Sequence, residues 1–189
     1  MVSEVLGQVE RGAMGAAWQS LREWLVLADR IGELRVVRGA DSAADIGNIT
    51  EMLDHTENSP CVVFDGIPGF RDGYRVAVNT QGTIRRQAIT LGLDPATITH
   101  GQLMEHWRGL LRDLRLIPPR VIAHGPILEH VQHGAEVDLS IFSALIWHPK
   151  DRGRCIGTAC INVIPDPDSA WVNPGTYWRQ VFDRESVGI

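Results

Sequence analysis

The chain has 189 residues, a net charge of -5, 44% hydrophobic and 22% charged residues, which excludes a disordered or fibrous protein and is enough for one ordinary domain or one and a part. Its basic residues are scattered apart from pairs such as Arg85-Arg86, so no basic face is offered to a nucleic-acid backbone. No apolar run approaches the ~20 residues that cross a bilayer, and MVSEVLGQVERGAMG lacks a signal peptide's basic start and apolar stretch, so the expected compartment is the cytoplasm.

Ala16 to Ile31 carries Trp18, Leu21, Trp24, Leu25, Leu27 and Ile31 at mostly three- and four-residue spacings, which predicts an amphipathic helix stopped by Gly32. ELRVV reads as a strand, Ala43 to Leu53 as a helix with an acidic start, and CVVFD as a buried strand. YRVAVN follows as another strand. Thr83 to Leu91 then reads as a helix, and GQLMEHWRGLLRDL as a second one capped by Thr99 and ended by Pro118-Pro119. After Pro119 the pattern changes: RVIAH, VDLSIF, CIGTACINVI and AWVNPGTYWRQVF read as strands between turn clusters such as HPKDRGR and PDPDS. A small sheet of this kind leaves an apolar side and an edge that something must cover.

Cys61, Cys155 and Cys160 form no CxxC pair. On one strand Cys155 and Cys160 would point to opposite faces, so reduced thiols are expected. His130 and His133 are three apart, a ligand spacing if helical, but with no third ligand nearby they read as a solvated helix end. Gly153 and Gly157 are either ordinary turn and bulge positions or places where a flat ligand meets the backbone. Asn173-Pro174-Gly175-Thr176 fits a type II turn. There Asn173 either bonds its own backbone or offers a carbonyl oxygen to Mg²⁺ or Mn²⁺. Tyr177, Trp178 and Arg179 would line a slot for a planar anion, or the aromatics would simply pack.

In order and wording the chain resembles the UbiD-type decarboxylases that use prenylated flavin mononucleotide. The resemblance is carried by LREWLVLADRIGELRVV, by the Asn-x-x-Gly-x-x-Arg-Arg run of Asn79 to Arg86, by PPRVIAHGPILEHVQHGAEVDLSIF, and by Trp147-His148, GRCIGT, an Asp-Pro pair and NPGTY in this order. It implies an α+β fold, with an N-terminal α/β layer domain over 1–117 and the first part of a split β-barrel flavin-binding domain over 118–189. It also implies reversible decarboxylation of an aromatic or α,β-unsaturated acid, with prenylated FMN, Mn²⁺ and K⁺ as cofactors.

By the same resemblance Asn173 is the metal ligand. Gly175, Thr176 and Tyr177 lie beside the cofactor, and Ile156, Gly157 and Thr158 belong to a strand lining its cavity. The family's catalytic arginine stands five residues after the asparagine, where this chain has Trp178, with Arg179 one later. On an unbroken strand that slip turns Arg179 to the opposite face, so Arg179 replaces the family residue only across a bulge, and Trp178 otherwise occupies its place. Family members continue past this point with further metal ligands and glutamates. The expectation is therefore a fragment or small subunit, inactive alone, that forms an oligomeric assembly with a complementary polypeptide. The alternative is a non-catalytic scaffold or regulatory subunit of the same descent.

Overall fold

A computed structural model describes residues 18–112, 114, 118, 121–157, 160–169 and 171–188. The chain forms two compact units, each assembled from separate segments. The first comprises the described residues of 1–36, Thr56–Val63 and Ala77–Val131. The second comprises Val37–His55, Phe64–Val76 and the described residues from Gln132 onward.

Helix α1 (Leu21–Arg30) begins at Ser20, whose hydroxyl accepts from Glu23 N while the Glu23 carboxylate accepts from Gln19 N. The two bonds satisfy the free Glu23 amide of the first turn and the Gln19 amide just before the cap. The helix ends at Ile31, and Gly32 follows with φ +78°, the left-handed stop expected from the sequence. Its inward stripe of Trp24, Leu25 and Ala28 packs with Leu34, Cys61, Val63 and Ile89 as the core of the first unit. The Trp24 indole also donates to Thr90 Oγ1 at 2.9 Å, so its one polar atom is satisfied.

Strands β1 (Leu34–Arg38), β2 (Cys61–Asp65) and β3 (Val76–Val78) make one three-stranded sheet in that order. Helix α2 (Asp45–Asp54) separates β1 from β2. Helix α3 (Ile84–Thr90) is capped by Thr83, and α4 (His100–Arg112) starts from a reciprocal Thr99–Gln102 pairing, as its sequence predicts.

The remaining strands are shorter than the sequence suggests. Strands β4 (Cys155–Ile156), β7 (Arg179–Val181) and β8 (Val187–Gly188) form one antiparallel sheet in the order β4-β7-β8. Strands β5 (Ile161–Pro165) and β6 (Val172–Thr176) form a two-stranded antiparallel ribbon closed by the turn at Asp166, whose carboxylate accepts from Asp168 N and Ser169 Oγ. The CIGTACINVI strand is thus two strands. Gly157 sits between them with φ +64°, and an added Cβ there would fall on the Cys160 sulfur.

Two expected strands are absent. VDLSIF is instead a 3₁₀ turn, Leu139–Ile141, because the Asp138 carboxylate takes the N–H and hydroxyl of Ser140 and offers the backbone a local alternative to a ladder. Those two bonds hold the Asp138 carboxyl below its usual range. Residues 121–124 of RVIAH are likewise not a strand, and a 3₁₀ turn at Pro126–Leu128 follows. His130 and His133 are exposed and lie on no α-helix, so the solvated helix end is corrected to an irregular segment.

Candidate active site

Asn173-Pro174-Gly175-Thr176 is not a turn. The whole stretch lies in β6, paired residue for residue with β5, and Gly175 lacks the left-handed backbone that a type II turn requires. In a two-stranded ribbon alternate residues direct their N–H to a free edge, so a proline can be accommodated without losing a ladder bond.

Cross-strand partners share a face. Asn162 opposite Gly175 and Ile164 opposite Asn173 therefore put Asn162, Asn173 and Gly175 together on one side of the ribbon. An added Cβ on Gly175 would collide with the Tyr177 ring, which folds back over it. The Tyr177 hydroxyl accepts from Asn173 Nδ2 at 3.5 Å. The structure thus brings Asn173, Gly175 and Tyr177 together, while Thr176 points to the opposite, exposed face.

Asn162 was not anticipated from the sequence. It is fully buried, its amide donates to Cys160 O and Gly175 O, and its Oδ1 has no partner among the described residues. An unpaired buried carbonyl costs about 1–3 kcal/mol. The only sequence signal is an asparagine inside an otherwise apolar strand, INVI.

The ribbon ends at Thr176, and the chain rejoins a sheet only at Arg179, with Tyr177 and Trp178 outside any strand. The strand register is therefore interrupted where the Trp178/Arg179 slip occurs. A cavity of about 420 Å³ is lined by the alternate residues Trp178, Gln180 and Phe182, together with Cys155, Lys150 and Arg152. Arg179 is turned to the other face, opposite Ile156, and its Nε is buried with no partner among the described residues. Ile156 and Arg179 are thus brought together, and Trp178 is separated from them. Gly157 follows β4 directly, and Thr158 lies outside the described residues.

The donor chemistry fits a divalent ion only in part. Asn173 contributes one neutral oxygen, and no group of three or more His, Cys, Asp or Glu side chains converges among the described residues. A hard cation requires several oxygen ligands, so donors from elsewhere would have to complete the set.

Other parts of the recognised sequence pattern hold the fold. The Arg86 guanidinium, fully buried, pairs with Glu33 at 3.0 Å and donates to Ser59 O at 2.9 Å. Burial pulls its pKa down while the Glu33 carboxylate pushes it back up. Arg85 pairs with the same Glu33 at 2.9 Å, and Asn79, in a left-handed conformation, donates to Ser59 O, Ser59 Oγ and Pro60 O. In the second unit Arg154 bonds Ser42 Oγ and Ala144 O and lies over the Phe70 ring, while Asp151 Oδ2 accepts from Trp147 N and His148 N. All three cysteines are free thiols. Burial raises the pKa of Cys61 to about 11, and burial followed by the nearby Asp151 charge raises that of Cys155. Among the described residues no helix is long and apolar enough to cross a membrane.

Comparison with known proteins agrees with this mixed arrangement of helices and small sheets. Residues 120–189 match the UbiD family described as 3-octaprenyl-4-hydroxybenzoate carboxy-lyase Rift-related domain. The chain is 32% identical over 187 residues to a phenolic acid decarboxylase of Sedimentibacter hydroxybenzoicus, covering 93% of this chain and 37% of that protein. The vanillic acid decarboxylase of the same organism, ShVdcCD, superposes in its closed form with a TM-score of 0.80 at 27% identity, over 92% of this chain and 37% of that one. Its open form, solved with a truncated ShVdcD, gives 0.76 at 30% identity, over 90% and 37%. The chain therefore spans 37% of the length of these proteins. The chain belongs to the UbiD family, and its residues 120–189 carry the family's Rift-related domain.

Proposed function

We propose that this chain is one part of a UbiD-like carboxy-lyase that reversibly decarboxylates an aromatic or α,β-unsaturated acid with prenylated FMN, working together with a complementary polypeptide. The observation that carries this reading is the joint placement of Asn173, Gly175 and Tyr177 on one ribbon face, in a chain that superposes on ShVdcCD with a TM-score of 0.80. In this reading residues 118–189 are the opening part of a split flavin-binding β-barrel and 1–117 its α/β domain.

Asn173 directs its amide to the face where Gly175 has no side chain, so its carbonyl oxygen supplies one ligand to Mn²⁺ while Gly175 admits a flat group close to the backbone. In this reading Tyr177, the backbone of Thr176, and Ile156 and Gly157 at the end of β4 border the cofactor together with Thr158, with K⁺ as a second ion. Prenylated FMN supplies an electron sink for the pair released as CO₂ leaves. The remaining metal and proton-transfer groups come from the complementary polypeptide, so the isolated chain is inactive. Arg179, in its break from the ribbon register, holds a carboxylate on the Ile156 face.

A second reading, a scaffold or regulatory subunit that does not catalyse, is favoured by one feature: Trp178 stands where the family resemblance expects arginine, and Arg179 faces away from the cavity that Trp178 lines. Flavin absorbance and CO₂ exchange, measured on the chain with and without its co-purifying polypeptide, separate the two. The catalytic reading predicts bound flavin and exchange only in the complex. A stable complex that never takes up flavin would establish the scaffold.

A further inference from the structure

We infer that Asn162 is a further binding residue of the ribbon face: its Oδ1 accepts a hydrogen bond from a hydroxyl or a metal-bound water of the group that Asn173 and Gly175 receive, once the Tyr177 ring swings aside. The inference rests on the catalytic reading above and deepens it, because the sequence pattern that points to Asn173 gives Asn162 no role.

The β5–β6 ribbon inverts the usual order of burial. Ile161 is 69% and Val163 64% exposed, whereas Asn162 between them is fully buried. Burying an amide costs free energy unless its polar atoms find partners, and Asn162 is poorly provided. Its Nδ2 reaches Cys160 O at 3.3 Å and Gly175 O at 3.4 Å, both long for such bonds, and its Oδ1 has no partner among the described residues. An apolar side chain of similar size would leave no such orphan, so the fold alone gives no reason for the amide.

Its place supplies one. Asn162 stands opposite Gly175, on the face that carries Asn173. Opposed residues hold their Cβ positions about 4.5–5.5 Å apart, so whatever lies over Gly175 also borders Asn162. What lies there is the Tyr177 ring, on which an added Gly175 Cβ would fall. The ring is tied down by one long bond, from Asn173 Nδ2 to its hydroxyl at 3.5 Å, and it is 39% exposed, so it is free to leave. Its departure opens a stretch of bare backbone at Gly175, bordered by the side-chain oxygens of Asn162 and Asn173.

An amide oxygen accepts and cannot donate, so Asn162 Oδ1 selects by chemistry. Phosphate oxygens are acceptors themselves and gain nothing from it. Hydroxyls, and waters polarised by a cation, are drawn to it. A flavin mononucleotide brings hydroxyls on its ribityl chain, and the ion held by Asn173 brings water.

The test is FMN titration, read by flavin fluorescence, of the complex of this chain with its co-purifying polypeptide, with and without Mn²⁺. Asn162→Val should raise the FMN Kd about tenfold, the equivalent of one lost hydrogen bond. Asn162→Thr has the same shape but keeps an acceptor oxygen, and should stay within about threefold of the wild type. Both side chains suit a strand, so the melting temperatures of the two variants should agree within about 3 °C. A Val–Thr difference that persists without Mn²⁺ assigns the donor to a flavin hydroxyl, and one that vanishes assigns it to metal-bound water. Equal FMN affinities for the two variants overturn the inference and leave the catalytic reading standing. A wild-type complex that takes up no FMN removes both.

Discussion

The first unit and the β5–β6 ribbon treat apolar side chains in opposite ways. Trp24 and Leu34 are each 2% exposed, whereas Ile161 is 69% and Val163 64% exposed, on a ribbon face they share with Val172 and Pro174. The first unit therefore contains what it needs to be stable: a stripe from α1 meets a sheet and α3 and leaves water behind. The ribbon has only cross-strand bonds and one clad face. An apolar sheet face of this kind matches the complementary polypeptide proposed above, since uncovered patches mark surfaces that associate.

The contrast can be broken most forcefully in the first core. Trp24→Ala should cost about 3–5 kcal/mol in chemical denaturation, from lost contacts and the cavity left behind. Arg86→Ala should fall in the same range, because it leaves the Glu33 carboxylate without its buried partner. A loss under about 1 kcal/mol for both would erase the distinction between the units.

The next effect depends on pH. The folded state holds the Cys61 thiol up to about 11 against an ordinary 9.0, so it binds that proton more tightly than the unfolded chain does. The resulting stability is complete below pH ~9 and disappears as pH rises toward ~11, amounting to about 2 kcal/mol. Denaturation midpoints taken from pH 8 to 11 should show this slope, and Cys61→Ala should flatten it.

Smaller still is Gly175→Ala. The new methyl meets the Tyr177 ring, which is 39% exposed and can swing out, so the cost is about 1 kcal/mol, with the Asn173–Tyr177 bond lost. Tyrosine near-ultraviolet dichroism reports the movement. The smallest change is Val163→Thr on the open ribbon face: under about 0.5 kcal/mol in the chain alone, but measurable as weaker association with the complementary polypeptide. Equal effects in both settings would mean that the face is not covered.

Where local chemistry decides structure, the sequence was readable. The spacing of Trp24 and Leu25, the glycine stop at Gly32 and the cap at Thr99 each act within a few residues, and each appears in the fold. The second unit misleads at points where long-range pairing overrides a local signal. Pro174-Gly175 has the composition of a turn, yet five consecutive pairs with Ile161–Pro165 draw it into a strand. Asp138 and Ser140 do the reverse, diverting a strand-like VDLSIF into a 3₁₀ turn.

The candidate site divides in the same way. Asn173, Gly175 and Tyr177 were identified from their order and do come together. Asn162 was invisible because its role depends on a partner thirteen residues away across the ribbon, Gly175, whose carbonyl takes its amide and whose missing side chain leaves the space opposite it. The break at Tyr177–Trp178, which decides where Arg179 faces, leaves no compositional mark.

The interleaving of the two units has a consequence for biosynthesis. Ser42 leaves the ribosome 112 residues before Arg154, the side chain that holds it. At typical elongation rates of ~5–20 residues per second that interval is on the order of ten seconds. During it the segment around Ser42 is synthesised and tethered but lacks its docking partner, a window in which a nascent-chain chaperone or a premature stop would determine the yield of the protein.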